Sequence, residues 1–136
     1  MVLLVAPLMA ACGSSRGETL AVALSHENLA TTLFEKSTDT RPLQVLPGSS
    51  GAVGTPATVT RSLSASRDEL ADAILEISNI ASADGWDMTV KDQDSVPRIY
   101  GTKTVDGSTA ELSAAPIPDS NGQYAGSIEL QLAARW

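Results

Sequence analysis

The side chains best able to do chemistry in this chain are one histidine, His26, and one cysteine, Cys12. His26 follows Ser25 directly. A serine hydrolase needs a histidine base, but also a nucleophile presented on a sharp strand-to-helix turn, and no such motif surrounds Ser25. One histidine and one cysteine do not make the four-ligand spacing of a structural zinc site. "DQDSVPRIYGTK" opens as Asp92-x-Asp94, like a calcium loop. Pro97 then stands where that loop needs glycine, and Lys103 where it needs glutamate. Gly48, Gly51 and Gly54 recur every third residue without the G-x-G-x-x-G turn of a phosphate cradle. The residues therefore predict no catalytic, metal or cofactor site, and a protein that is not an enzyme.

Charge narrows the partners. Sixteen acidic residues against nine basic ones leave a formal charge of −7. Phosphate backbones repel such a chain, which argues against nucleic acid as a partner. The 136 residues suit one domain, and 43% apolar content suits a packed core. Only five aromatics are present, so aliphatic side chains must fill that core.

The chain begins with an uncharged run, "MVLLVAPLMAAC", and carries its first charge at Arg16. The run is too short to span a bilayer, which takes about 20 residues. It has the length and the small-residue ending of a secretory h-region. A signal also opens with basic residues, and none precedes this run, so the natural start is expected upstream. Met9-Ala10-Ala11-Cys12, followed by Gly13-Ser14-Ser15, resembles the lipobox of bacterial lipoproteins. Met9 stands where that family favours leucine. The resemblance implies cleavage before Cys12 and acylation of that residue, with palmitate-type chains holding the protein in the membrane. It implies a signal peptide over 1–11, a lipidated Cys12 and tether over 12–17, and one domain over 18–136. It also implies a location on the extracytoplasmic face of the cell membrane. It covers some fifteen residues and leaves the domain unassigned.

The elements of that domain follow from periodicity. "ETLAVALSHENLATTLFEKS" carries a helical stripe of Leu20, Ala23, Leu24, Leu29, Leu33 and Phe34, with Ser25 placed to cap a separate helix from His26. "RPLQVLPG" reads as a short edge strand between prolines, and Gly48–Pro56 as a loop. "ATVTRSLSA" alternates, with Val59 and Leu63 inward. Arg61 shares their parity, which marks a strand edge or a carboxylate partner. "SRDELADAILEISNIASADGW" carries the clearest signal. Ser66 and Glu69 have capping-box spacing, and Leu70, Ala73, Ile74, Ile77 and Ile80 form the stripe. Gly85 supplies the stop, predicting a helix over 67–84. Four strands follow. Asp106-Gly107 and "SNGQ" are the turns between the last three, and Pro116 and Pro118 are expected to end one strand.

This order predicts an α+β fold, an antiparallel sheet of about four to six strands with two helices packed on one face. Trp86 falls in phase with Met88 and Val90 and reads as core. Tyr100 shares parity with Arg98, Thr102 and Thr104, a polar set, and is the better candidate for a contact surface. The expected function is a lipid-anchored binding domain with an envelope protein as partner. The alternatives are a carrier of an apolar ligand between sheet and helix, or an enzyme or inhibitor acting through loop residues.

Overall fold

The computed structural model describes residues 15–49, 54–93 and 96–136. Cys12, the whole lipobox and part of the Gly48–Pro56 loop lie outside the described residues, as does Asp94. Among the described residues the fold is mixed α+β: one antiparallel sheet with three α-helices. The helices are α1 (Ser15–Ser25), α2 (Asn28–Thr31) and α3 (Leu70–Ala83). The strands are β1 (Thr38–Asp39), β2 (Gln44–Leu46), β3 (Ala57–Ser64), β4 (Asp87–Gln93), β5 (Val96–Val105), β6 (Ser108–Pro118) and β7 (Tyr124–Ala134). Their spatial order is β1-β3-β7-β6-β5-β4, with β2 beside β1 on the outer edge of β3. Seven strands replace the expected four to six because β1 is an additional edge strand, only two residues long. So short a segment leaves no alternating pattern to read.

Alternation places the core. Val59 and Leu63 on β3, Ile128, Leu130 and Leu132 on β7, Leu112 and Ala114 on β6, and Ile99 on β5 are all buried. They join Leu20 and Leu24 of α1 and Leu70, Ala73, Ile74, Ile77 and Ala81 of α3 in one cluster. Truncating any of the large members to alanine removes about 2–5 kcal/mol of stability.

The α3 region matches expectation in extent but not in how it starts. Arg67–Glu69 forms a 3₁₀ turn that leads into the α-helix. Ser66 makes no side-chain cap bond. Its Oγ meets the Glu69 carboxylate at 3.5 Å, and that carboxylate reaches out to Lys36 instead. The stop is a Schellman closure. Gly85 takes φ +93°, its N–H donates to Ser82 O, and Trp86 N–H donates to Ala81 O.

The first helical stretch departs further. α1 starts at Ser15, so Ser15–Gly17 belong to a helix rather than to a tether. Gly17 is buried, with no room for a Cβ beside Pro47 O and the Trp136 ring. No helix starts at His26. Ser25 Oγ donates back to Val22 O, and α2 begins at Asn28. α2 ends at Thr31, and the chain then runs extended past Leu33, which is 86% exposed, to buried Phe34. The Glu76 carboxylate moors this extended run to α3 by accepting the backbone N–H groups of Glu35 and Lys36.

The turns are as predicted. Asp106 and Gly107 both take positive φ, +49° and +80°, the type I′ geometry that suits strand twist. Arg16 donates to the Asp106 carboxylate at 2.8 Å and to Ser108 Oγ, fastening the start of α1 to this hairpin. At the β6–β7 turn, Asp119 Oδ1 accepts the N–H groups of Asn121 and Gln123. β6 runs past Pro116 and ends at Pro118. Pairing runs through to Pro118 with an irregularity between Pro116 and Pro118, which absorbs the missing N–H.

Gly126 on β7 is a close backbone crossing. It takes φ +122°, and its carbonyl accepts the Ala65 N–H at 2.9 Å. A Cβ there would collide with Ala65 O. Gly126→Ala is expected to cost more than about 2 kcal/mol, since strain and collision add. Thermal unfolding followed by circular dichroism measures it, and an unchanged midpoint would show that the crossing is looser than described.

Candidate functional site

Three polar arrangements stand out from the aliphatic core, and two of them are structural. The first is Arg61, which shares the core parity of β3 and is only 4% exposed. Its Nε and Nη2 donate to the two Asp39 carboxylate oxygens at 3.0 and 2.8 Å. Its Nη1 donates to Leu29 O and Thr32 O, both at 2.8 Å. The Phe34 ring lies 4.6 Å from the guanidinium carbon. A buried cation is tolerable only when so fully paired. Of the two readings its parity allowed, the carboxylate partner is the one found.

The second is Lys103 on β5. Its ammonium donates to Glu27 at 2.7 Å, lies 3.4 Å from Asp84, and sits 5.8 Å from the centre of the Trp86 ring. It therefore ties the start of α2 to the end of α3. Burial alone would lower its pKa. The hydrogen bond and charge of Glu27, with Asp84 behind, outweigh burial and raise it above the ordinary 10.5.

The third arrangement is open to solvent. Along β4, β5, β6 and β7, the residues of outward parity fall into two rows. Asp87, Thr102, Glu111 and Ala133 face one another across the strands. Beside them run Thr89, Tyr100, Ser113 and Gln131. These rows line a trough of about 450 Å³. It spans three inter-strand spacings, about 14 Å. Small hydroxyl side chains keep it hollow, and Tyr100, 42% exposed, stands in it as the one aromatic ring of the lining. Lys91 Nζ lies 5.6 Å from that ring's centre. The lining offers acceptors, hydroxyls, an amide and a flat apolar surface, a set suited to holding a polar partner by contact.

The other residues singled out in the sequence scatter. His26 is exposed in the turn between α1 and α2. Trp86 is buried in the core, as its phase indicated. Tyr124 accepts a hydrogen bond from Arg98 at 3.0 Å. Asp92 lies on β4 opposite Pro97, within a strand pair rather than a calcium loop. Among the described residues, no three His, Cys, Asp or Glu side chains gather as metal ligands, and no helix is long and apolar enough to cross a membrane. Parity alone exposed Tyr100. Its neighbours Thr89, Ser113 and Gln131 come from three other strands, and only the register joins them. In comparisons with known proteins, no family model, no curated protein and no solved structure matches the chain.

Two expectations follow. Arg61→Ala should cost about 2–4 kcal/mol in urea denaturation, because buried acceptors lose their donor. Asp39→Ala should cost less, since Asp39 is 42% exposed and water can replace it. The reverse order would remove Arg61 from the centre of this cluster. Lys103 has a folded pKa above its unfolded one, so its contribution is complete below pH 10.5 and is lost as pH rises through the folded value. Lys103→Met should therefore melt lower than wild type at pH 7, with the gap closing above pH 10.5. A gap that widens in alkali would contradict the pairing.

Proposed function

We propose that this protein is a lipid-anchored binding domain on the extracytoplasmic face of the cell membrane, acting by contact rather than by catalysis. In this reading both long helices cover one face of the sheet and leave the other for a partner. The trough around Tyr100 is the observation that carries it. Its lining combines an exposed ring with hydroxyls, an amide and two carboxylates on a rigid sheet, which favours a protein or another polar envelope component. The interior supports this over a carrier role, because Ile74, Ile77, Ile99 and Leu130 are fully buried against their own neighbours.

The anchor rests on the Met9–Cys12 resemblance. A tether of this kind would deliver the chain to α1, whose Arg16 is fastened to the Asp106–Gly107 turn.

One experiment tests both parts. The gene is expressed in a lipoprotein-processing bacterium with a photo-crosslinking amino acid at position 100, or at position 75 on the exposed side of α3. Adducts to a second envelope species are expected from position 100 and not from 75, and the reverse would place the contact elsewhere. Cys12→Ala should move the protein from the membrane to the soluble fraction, and equal partition would end the lipid assignment.

A further inference from the structure

The two ends of the sheet are finished differently. At one end β1 and β2 cover the edge of β3, and Pro42 and Pro47 flank β2. At the other end β4 pairs with β5 alone, and among the described residues no strand lies on its outer side. This free edge runs seven residues, Asp87–Gln93, about 23 Å, and contains no proline. Val90 on it has core parity yet is 46% exposed. Free edges of this length are templates for another strand unless charge, bulge or proline blocks them.

The charges on β4 do not block a second copy in one register; they complement it. Asp87 and Lys91 are both exposed, four residues apart, on the outward parity, with Thr89 midway. Set two β4 strands antiparallel with Thr89 opposite Thr89. Asp87 then faces Lys91 of the other copy, twice by symmetry. Met88 faces Val90, also twice, on the core parity. A shift that sets Val90 opposite Val90 puts Met88 against Asp92 and leaves Lys91 against Thr89. Centring on Lys91 sets like charges face to face. Favourable opposite-charge and apolar cross-strand pairs coincide only in the Thr89-centred register.

We propose that two copies of this chain pair through β4 about a twofold axis at Thr89, joining their sheets into one. A twofold interface of this kind is self-complementary and closed, so it ends at the dimer. It also has a functional consequence. Thr89 and Tyr100 face each other in the same cross-strand row. The dimer sets the two Tyr100 rings in one line, three strand spacings or about 14 Å apart. The two troughs become one bivalent surface, and a repetitive partner would bind it with avidity.

Sedimentation equilibrium of the full chain over a concentration series tests the pairing. Asp87→Lys alone and Lys91→Asp alone should each weaken dimerisation by about tenfold or more, since each reversal acts at both symmetric pairs. The double variant, Asp87→Lys with Lys91→Asp, restores the complementarity and should return association to near the wild-type value. A wild-type chain that stays monomeric throughout overturns the proposal, and so does a double variant that associates no better than the single ones. Register is read separately in a Cys12→Ser background. Facing residues of an antiparallel pair have Cα atoms about 4.5–5.5 Å apart, within disulfide reach. Thr89→Cys should therefore oxidise to a covalent dimer, while Thr102→Cys, exposed one strand further in, should not. Equal crosslinking at both positions, or none at Thr89→Cys, refutes the register.

Discussion

The fold turns on the Arg61 guanidinium. A charge placed at a core position of β3 costs several kcal/mol unless it is paired and hydrogen-bonded. Here the Asp39 carboxylate and two backbone carbonyls accept four hydrogen bonds from it, and the Phe34 ring lies against its face. Those partners all lie between residues 29 and 39, the segment joining α2 to β1. Arg61 thus sets where α2 stops, brings Phe34 inward, and holds β1 against the end of β3. The helical stripe expected through Leu33 fails at this point. Once Leu29 O and Thr32 O serve Arg61, the chain continues extended along α3, and Leu33 is left in solvent.

The rest of the polar framework repeats the principle at lower cost. Arg16 spans 90 residues to reach the Asp106 turn, Lys103 draws Glu27 to the end of α3, and Glu76 caps two backbone N–H groups of the extended segment. Each is a long-range bond made by one side chain, to a backbone group or to another side chain, at or beyond the end of a regular element. Together they position the helices, while the strands need only their ladder. That division leaves the outward rows of β4 to β7 without structural duty. Small hydroxyl side chains there lie outside the core cluster, and the trough they line is open to solvent.

Much of the fold was legible in the sequence because short-range rules govern it. The Gly85 stop, the Asp106-Gly107 turn, the inward set Ile128, Leu130 and Leu132, and the outward set around Tyr100 are all local patterns that packing then respected. The failures share a cause as well. Ser66 and Glu69 have capping-box spacing, but Lys36, 33 residues before Glu69, competes for its carboxylate. Gly17 looked like a flexible link and is a packing contact, because Trp136 and Pro47 close over it. Pro116 looked like a strand end, yet an irregularity in the β6–β7 ladder accommodates it.

By itself the sequence determined the class of the fold, the order of its elements, the parity of most strands and the acidic surface. These follow from periodicity, turn chemistry and composition, which act over a few residues or over the whole chain. Tertiary structure alone decided what Arg61 and Lys103 bind, which of the outward residues share a row, and which strand was left with a free edge. Those outcomes depend on register and strand order, and both are set by contacts between residues tens of positions apart. No local pattern encodes them, since a hydroxyl on β4 and an amide on β7 become neighbours only when two intervening strands are laid between them.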